Sequence, residues 1–394
     1  MNDLILLSAP YFGGNEKKYV NDCMESEWVS TSGAYVSKFE DYLADYVGSA
    51  GGACACVNGT SALHISLLLC GVKPGEEVIV PALTFIAPIN VVRYLHCEPV
   101  FVDCDDYMNM QPENLAAFLS EGCEQRDGGV YNKASGKRIA AIVPVHIFGS
   151  VCNMEPIMDS ARQYGLPVVE DATEALGSKV NSGRYAGKYA GTIGDFGCFS
   201  FNGNKIITCG GGGMIVSRGK DKVAKARYLT TQAKDDPLYY VHDEVGYNYR
   251  LTAIQAAIGL GQMEQLDNFI AHKKASYEKY KQAISEIDGL RLIEIPDYCD
   301  SNYWFYSLFI EDSYPLSRDE LIGIFTENNI QARPVWNLNH HQKPYKDCLA
   351  YDIKKAEYYF EHVVNIPCSS GITDAEIERV CKVLEDCGKI ENES

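Results

Sequence analysis

The sequence predicts an α/β protein in which a large domain, built on a mainly parallel sheet, precedes a smaller C-terminal α+β domain. Two observations support this prediction. From about residue 50, short β-prone apolar segments alternate with helix-prone segments, which indicates a parallel sheet with helices on both faces. After about residue 265, one long amphipathic helix is followed by short strands and two further helices. We therefore expect an N-terminal arm (1–45), a large domain (46–265) and a small domain (266–394).

The elements of the large domain are expected in a regular order. A helix that ends at Gly71 is predicted by TSALHISLLLCG, and a buried strand that enters a loop at Pro81 is predicted by EEVIVPALTF. Further strands are expected in CEPVFVDCD and RIAAIVPVHIFG, a helix in EPIMDSARQYG, and a strand that turns into a helix in LPVVEDATEALG. Ligands of such sheets bind beyond the carboxyl ends of the strands, which places Thr84, His146 and Asp171 on one rim.

The charge and the cysteines exclude several classes of protein. The 394 residues include 53 acidic and 35 basic ones, a formal net charge of −18, so we expect neither nucleic acid nor an anionic membrane as a partner. No signal peptide and no apolar run of about 18 residues are recognised, which predicts a cytoplasmic protein without a membrane span. The 15 cysteines show no C-x-x-C pattern, and His340-His341 shows no metal-ligand spacing. We expect reduced core thiols and no metal site.

One lysine stands alone in an otherwise uncharged segment, GCFSFNGNKIITCGGGGMIV. It is Lys205, whose neighbours are glycine, asparagine and aliphatic residues, with no acidic residue at helical spacing. A lysine that is buried or near other cations loses its proton more easily and can form a Schiff base. Most lysines simply lie on the surface, so the segment by itself leaves both interpretations open.

Other segments supply partners for such a lysine. Asp171 ends a buried strand, where an ionised carboxylate needs a cation such as a pyridinium nitrogen. A helix N-cap is the commoner role for a carboxylate at a strand-to-helix turn, and the motif alone favours it. Glu174 follows three residues later, one turn along the expected helix and on a similar face. In VNGTSALH, Thr60 and Ser61 begin a helix that either binds a phosphate or is merely capped. Phe85 either stacks on a planar cofactor or belongs to the core.

The run Gly210–Gly213 is not a nucleotide-binding loop. Ile215 stands where G-x-G-x-x-G requires its last glycine, and no G-K-[ST] follows. We interpret the run as a tight turn into the strand MIVS, where the backbone passes close to a bulky neighbour. A nicotinamide-dependent oxidoreductase is therefore disfavoured.

Several ordered motifs together resemble one known family. They are GGNEKKYVNDCMESEWVSTSG, NGTSALH, VPALTFIAP, PVFVDCD, EDATEALG, GDFGCFSFNGNKIITCGGGGMIV, GYNYRLTAIQAAIGLGQME, IQARPVW and NIPCSSGIT. Over about residues 10–383 they resemble the DegT/DnrJ/EryC1/StrS sugar aminotransferases. The resemblance implies a fold-type-I transferase with a seven-stranded sheet and with pyridoxal 5′-phosphate as cofactor. A cofactor-binding regulator is the rival, but the chain has no spare basic helix-turn-helix segment.

The resemblance assigns a role to each matching residue. Lys205 is the catalytic residue, which bonds to the cofactor and then moves the proton. Asp171 pairs with the pyridine nitrogen, and Phe85 stacks on the ring. Glu174 stands where relatives have Gln, Glu or His, beside the ring oxygen. Phosphate-binding roles fall on Thr60, Ser61, Ser200 and, from a neighbouring subunit, Asn248.

The resemblance also implies partners. A phosphate ligand from a second subunit implies a homodimer with shared active sites, and Arg250 and Arg333 match arginines near the site. Lys205 favours transamination, because related dehydratases have His there. The segments LTTQAKDDPLYYVHDEVGYNYRL and LSAPYFGGNEKKYV look most like the LegC branch.

That branch implies the transfer of an amine from L-glutamate to the C4 ketone of a nucleotide-linked keto sugar. The expected sugar is a UDP-linked 4-keto-6-deoxy-N-acetylhexosamine of the bacillosamine or legionaminic acid type. The alternative is a GDP-4-keto-6-deoxymannose 4-aminotransferase, of the perosamine synthase type.

Overall fold

The structure, a computed structural model, describes residues 3–389. Its strands are β1 (Ala53–Cys56), β2 (Glu77–Pro81), β3 (Glu98–Val102), β4 (Cys123–Arg126), β5 (Gly129–Asn132), β6 (Arg138–Ile142), β7 (Val169–Asp171), β8 (Lys179–Val180), β9 (Phe196–Ser200), β10 (Gly213–Val216), β11 (Leu290–Leu292), β12 (Cys299–Asp300), β13 (Tyr306–Ile310), β14 (Arg333–Pro334), β15 (Ala350–Tyr351) and β16 (Val363–Ile366). Its α-helices are α1 (Glu16–Glu25), α2 (Ala34–Val47), α3 (Gly59–Leu69), α4 (Ala87–Tyr94), α5 (Pro112–Ala117), α6 (Met154–Tyr164), α7 (Lys220–Thr230), α8 (Ala253–Met263), α9 (Leu266–Ile284), α10 (Arg318–Glu327), α11 (Lys355–His362) and α12 (Asp374–Gly388). Short 3-10 or π turns occur at Phe118–Gly122, Ile147–Gly149 and Asn339–His341.

A seven-stranded sheet forms the centre of the large domain. Its order is β1–β10–β9–β7–β6–β2–β3, in which the bridges Ile142–Val168 and Val145–Asp171 join β6 to β7. β10 runs antiparallel to both of its neighbours, and the remaining strands of this run are parallel. The predicted mainly parallel sheet of fold type I is confirmed. β15 extends one edge beside β3, and the β4–β5 hairpin lies against the start of β6.

The strands of this sheet are buried under helices. Every residue of β1, β2 and β10 is buried, which explains why these segments are continuous apolar runs rather than alternating ones. α2 packs on β1, α3 on β9 and β10, and α4 on β2 and β3. Glu77, the acidic residue buried in β2, accepts a hydrogen bond of 2.8 Å from the side chain of Asn132, which satisfies its carboxylate.

A second, antiparallel sheet organises the C-terminal part of the chain. Its order is β11–β13–β16–β14, and α9, α10, α11 and α12 pack around it. Its core contains Tyr280, Tyr306, Phe325 and Leu384. The helices and the strand expected in this region are all present, although the strand in NYWFYSLFI begins only at Tyr306.

The N-terminal segment contacts helix α8 of the large domain and also the C-terminal part of the chain. α1 and α2 pack against α8, whereas Ile5 pairs with Ile330 and the carbonyl of Leu7 accepts the N–H of Cys368 at 2.7 Å. β15, from the C-terminal part, joins the large sheet. The boundaries at residues 45 and 265 stay predictions.

The helix expected after β7 is absent, and that prediction was wrong. β7 ends at Asp171, and two consecutive turns lead to β8. The carboxylate of Asp171 accepts the N–H of Thr173 at 3.1 Å, and Gly177 adopts a left-handed φ of 88°. Both features favour turns over a continuing helix. Asp171 and Glu174 therefore do not lie on one helical face.

All 15 cysteines, which lie within the described range, are free thiols. Within residues 3–389, no helix combines the length and the apolar character that crossing a membrane requires.

Candidate active site

The carboxyl ends of the central strands border a cavity of about 340 Å³. β7 ends at Asp171, β9 ends at Ser200, and the chain that follows β2 carries Thr84 and Phe85. The N-terminus of α3 faces the same space. Residues predicted to hold the cofactor that line this cavity are Thr60, Phe85, Asp171, Glu174, Ser200 and Lys205.

Lys205 lies in the loop that joins β9 to β10. The N–H of Phe201 donates to the carbonyl of Gly212 at 2.9 Å, which closes the base of this loop. The amine Nζ of Lys205 is 3.5 Å from Oε1 of Glu174 and 4.0 Å from the ring centre of Trp304. The sequence around Lys205 carries no charge, but the fold supplies a carboxyl and an aromatic face as partners.

Glu174 is a buried carboxyl that titrates near neutral pH. Burial raises its pKa to about 7, although the Lys205 ammonium and the N–H of Phe148 oppose the rise. That N–H donates to Oε2 of Glu174 at 2.8 Å. Phe148 has φ 53° and ψ 19°, a left-handed conformation that is uncommon outside glycine and asparagine. The turn at Phe148 thus aims a backbone donor at one oxygen of Glu174 and leaves the other facing Lys205.

Asp171 is a second buried carboxyl, at the end of β7. Burial raises its pKa, and the hydrogen bond from Thr173 opposes the rise. Because no helix follows, the N-cap interpretation is wrong for this residue. An ionised carboxylate at this depth needs a cationic partner, and a protonated pyridine nitrogen has the required charge.

The N-terminus of α3 approaches the end of β9 closely. The side chain of Asn58 caps the helix by accepting the N–H of Ser61 at 2.7 Å. An added Cβ at Gly59 would lie 2.9 Å from Cβ of Ser200 and 2.9 Å from Cγ2 of Thr173. This contact requires glycine, and it brings the N–H groups of α3 beside the Ser200 side chain. Backbone N–H groups and hydroxyls so arranged suit a phosphate.

Several predicted residues lie outside this cavity. Ser61 is buried beneath the helix N-terminus and does not line the cavity. Asn248 is exposed on a different segment of the chain, where it pairs with Thr231. Arg250 forms an ion pair with Glu40.

Sequence reasoning missed an aromatic wall of the cavity. Trp304 and Trp336 line it, and the Phe85 ring lies 6.0 Å from that of Trp336. The indole Nε1 of Trp304 donates to the carbonyl of Asn204 at 2.7 Å. Trp304 lies in NYWFYSLFI, whose apolar character indicated only a strand. The available signal was the tryptophan itself, whose indole N–H needs a hydrogen-bond partner when the ring is buried.

Thr84 carries an unpartnered group at the same cavity. Among the residues that the structure describes, no hydrogen-bond partner exists for its buried hydroxyl. A buried hydroxyl without a partner costs free energy, so a bound polar molecule would be favoured there.

Residues 10–385 match the DegT/DnrJ/EryC1/StrS aminotransferase family. The chain belongs to this family. Its members depend on pyridoxal phosphate, so the protein is an aminotransferase with this cofactor. The residues at the cavity fit the cofactor: one amine, two buried carboxyls, an aromatic face and a helix N-terminus with hydroxyls.

Individual relatives match over nearly their whole length. The GDP-perosamine synthase of Caulobacter vibrioides is 39% identical over 391 residues, which cover 98% of this chain and 99% of that protein. The GDP-perosamine synthase of Escherichia coli O157:H7 is 36% identical over 386 residues, which cover 96% of each. The crystal structure of the aminotransferase TlmJ from Streptoalloteichus hindustanus matches with a TM-score of 0.87 and 26% identity over 98% of both chains.

Proposed function

We propose that the protein transfers an amino group from L-glutamate to C4 of a GDP-linked 4-keto-6-deoxyhexose. The observation that supports this substrate is the full-length similarity to two GDP-perosamine synthases, at 39% and 36% identity. The UDP-linked N-acetylhexosamine implied by the LegC-like motifs has less support. It becomes the alternative.

Lys205 is proposed to hold the cofactor covalently and to act as the proton carrier. Its amine is the group in the cavity that can bond to an aldehyde carbon, and Glu174 and Trp304 keep it oriented when it is free. When bound, pyridoxal phosphate supplies an electron sink for the charge that develops at the donor carbon. Lys205 moves the proton to and from that carbon, because its Nζ stays inside the cavity whether the amine is bonded to the cofactor or free.

Asp171, Glu174 and Phe85 are proposed to position the cofactor ring. The carboxylate of Asp171 would hold the ring nitrogen and stabilise a proton on it, because burial leaves an ionised Asp171 in need of a positive charge. Glu174 would hydrogen-bond to the ring oxygen, because its buried carboxyl faces the cavity beside Lys205. Phe85 offers a half-exposed ring face for stacking.

The phosphate is proposed to lie at the N-terminus of α3. Thr60 and Ser200 line the cavity there, together with Gly59, at the end of the helix where the first N–H groups have no carbonyl partner within the helix. The N–H of Ser61 already donates to the Asn58 side chain, so any contribution of Ser61 to phosphate binding comes from its hydroxyl. The helix dipole adds a favourable positive potential for the phosphate dianion.

A homodimer is proposed to complete the site. Asn248 is exposed and does not line the cavity of its own chain, so we propose that its phosphate contact is made to a second subunit. The preceding loop exposes large apolar side chains to an extent unusual for a monomer: Leu238 (72%), Tyr239 (75%), Tyr240 (73%) and Val245 (82%). A second copy of the chain would cover them.

The substrate test uses the visible spectrum of the cofactor-loaded protein. GDP-linked and UDP-linked 4-amino-6-deoxy sugars are added separately, so that the reverse half-reaction removes the absorbance band of the lysine-bound cofactor. We expect only the GDP-linked sugar to remove the band. Removal by the UDP-linked sugar alone would establish the alternative, and removal by neither sugar would refute both.

Lys205→Ala is the control for this test. The variant is expected to bind the cofactor without forming the lysine-bound band and to lose at least about a hundredfold in activity, as expected for a proton-transfer group. An active, cofactor-loaded Lys205→Ala protein would contradict the role proposed for Lys205.

A further inference from the structure

A cluster of metal-ligand side chains lies outside the cofactor cavity. Nε2 of His340 is 3.0 Å from Oε1 of Glu357, and Nε2 of His341 is 2.8 Å from the same oxygen. The three ligand atoms all lie within 4.8 Å of one another. The sequence showed no metal spacing here, because the pattern of two adjacent histidines lacks a nearby third ligand. The fold supplies that ligand from α11.

The two elements that carry this cluster are held in place independently. The histidines lie on the 3-10 turn Asn339–His341, and the Asn339 amide donates to the carbonyls of Ala82 and Thr84 at 3.3 and 2.8 Å. Glu357 lies in the first turn of α11. Asp103 fixes that end by accepting the N–H groups of Lys354 and Lys355, each at 2.8 Å. The ligands are therefore positioned before any ion arrives.

The donor set matches a borderline divalent cation. Imidazole nitrogen is a ligand of Zn²⁺ and of the neighbouring transition ions, and two histidines with one glutamate form a known protein zinc set. Ligands about 2.1 Å from one ion lie roughly 3.4 Å apart in a tetrahedral arrangement, so the His–Glu separations of 3.0 and 2.8 Å need to lengthen by only about half an ångström. Within the described part of the chain, Nδ1 of His340 is buried without a partner. Nδ1 of His340 is unpaired whichever ring nitrogen carries the proton. A metal ion at Nε2 would place the proton on Nδ1, so binding leaves this one nitrogen unpaired and adds no second one.

We infer that His340, His341 and Glu357 bind one Zn²⁺-type divalent ion, with a fourth position open to water. His341 and Glu357 have side chains that are 44% and 38% exposed, so an ion can enter from solvent. The bound ion joins α11 to the turn that supports the carbonyls of Ala82 and Thr84. It thereby stiffens the support behind Phe85, at the edge of the cofactor cavity.

The test measures metal binding directly. The cofactor-loaded protein, freed of excess cofactor and of metal, is titrated with Zn²⁺ in a calorimeter and with Co²⁺ in an absorption spectrometer. We expect one Zn²⁺ per chain, and a visible Co²⁺ spectrum of nitrogen and oxygen ligation. His341→Ala and Glu357→Gln should each weaken binding at least about tenfold, the lower end of the loss seen even for groups behind the ligands.

The control is His362→Ala. His362 also lies on α11 and pairs with a carboxylate, that of Asp312 at 3.3 Å, but it has no part in the cluster. This variant should bind the ion as the unaltered protein does. Glu357→Gln conserves shape at a partly exposed position, so it tests the site even if His341→Ala misfolds.

Three results would overturn the inference. The first is the absence of stoichiometric Zn²⁺ binding by the unaltered protein, which would reduce the cluster to a pair of hydrogen bonds on one carboxylate oxygen. The second is binding that neither His341→Ala nor Glu357→Gln weakens. The third is an intense thiolate band with Co²⁺, which would assign the ion to a cysteine. None of these results bears on the proposed sugar substrate.

Discussion

Glu174 and Lys205 share a space in which neither group is well hydrated. The carboxyl is buried, its pKa is about 7, and the amine lies 3.5 Å away. The Glu174 carboxyl can therefore gain or lose a proton near physiological pH while it faces the Lys205 amine. Such a pair suits a site in which one group must give up and regain a proton during each turnover.

The raised pKa of Glu174 predicts a pH-dependent stability. The folded pKa of about 7 exceeds the ordinary value of 4.5, so the folded state binds more protons than the unfolded chain between these values. The favourable contribution is complete below pH about 4.5 and is lost as the pH rises to about 7. Glu174→Gln cannot ionise. The unfolding free energy of the variant relative to the unaltered protein should therefore rise with pH, by up to about 3 kcal/mol.

This prediction is checked by urea unfolding of the cofactor-free protein at several pH values between 4.5 and 8. Glu113→Gln, at an exposed position of α5, serves as the control for loss of a carboxyl. A constant difference between Glu174→Gln and the unaltered protein across this range would contradict the raised pKa.

Functional residues could be predicted from the sequence where a charged side chain stands in an uncharged or apolar segment. Lys205 stands out as one amine in an uncharged segment, and Asp171 as a carboxylate at the end of an apolar strand. The partners of these groups were not predictable in the same way. The contacts of Lys205 with Glu174 and Trp304 join segments that are distant in sequence, and only the tertiary fold sets their distances.

At the scale of elements, the proposed phosphate site depends on how closely α3 approaches β9. Gly59→Ala places a Cβ 2.9 Å from the side chains of both Ser200 and Thr173, so one element must move. We expect a loss of about 1–3 kcal/mol in stability. Displacement of even one hydrogen-bond donor from the phosphate should weaken cofactor binding about tenfold or more.

Cofactor titration and urea unfolding measure these two effects. The control is Gly203→Ala in the Lys205 loop, where no described atom beyond residues 202–204 lies within 4 Å of the added Cβ. Gly203→Ala should bind the cofactor normally. Equal cofactor affinities in both variants would contradict the proposed location of the phosphate.

Trp304 contacts the Lys205 loop through a hydrogen bond and through its ring face, and substitutions can remove the first without the second. The indole Nε1 donates to the carbonyl of Asn204, and the ring face lies 4.0 Å from Nζ of Lys205. Trp304→Phe keeps an aromatic face, and Trp304→Leu removes both interactions. We expect covalent cofactor capture by the cofactor-free protein to slow about 3- to 10-fold in Trp304→Phe, and more in Trp304→Leu.

The capture rate is measured by borohydride trapping at Lys205 and mass spectrometry. Ser8→Ala is the matched control, because the Ser8 hydroxyl donates to the same Asn204 carbonyl at 3.1 Å. Like Trp304→Phe, Ser8→Ala removes one hydrogen bond to this carbonyl and leaves an aromatic ring in place at residue 304. Covalent cofactor capture should therefore slow no more than in Trp304→Phe. Equal rates in Trp304→Phe and Trp304→Leu would show that the ring face contributes nothing.

Helices were predictable where the spacing of apolar residues agrees with the residues that begin and end a helix. α3, α6, α9 and α12 are present in the segments that predicted them, and Gly71 follows the end of α3 as expected. The segment EDATEALG was predicted wrongly for a physical reason. Its residues favour a helix locally, but the side chain of Asp171 bonds to the backbone at Thr173 and closes a turn instead.

At the scale of the whole molecule, sequence alternation predicted the parallel sheet but not its strand order. The order depends on which β-strands pair across long connections, as when β10 inserts between β1 and β9. The aromatic wall of the cavity was also not predictable, because it joins Phe85 and Trp336, which lie far apart in the sequence. Such contacts reflect tertiary packing rather than local propensity.

The apolar loop before Asn248 predicts that assembly and cofactor binding are linked. Tyr240 is 73% exposed in the single chain, and a dimer interface would bury it. Tyr240→Asp places a charge in that interface, so sedimentation should show dissociation into monomers. Cofactor affinity should fall at the same time, because a monomer lacks the partner's phosphate contact. Tyr358→Asp, at another exposed tyrosine, is expected to leave both properties unchanged.

Asn248→Ala separates the two effects. This variant removes the proposed phosphate contact but leaves the apolar loop intact, so the protein should stay dimeric while its cofactor affinity falls about tenfold. An unaltered protein that sediments as a monomer with full cofactor occupancy would refute the shared site. A dimeric Asn248→Ala protein with unchanged affinity would preserve the dimer but assign the phosphate entirely to α3 and Ser200 of the same chain.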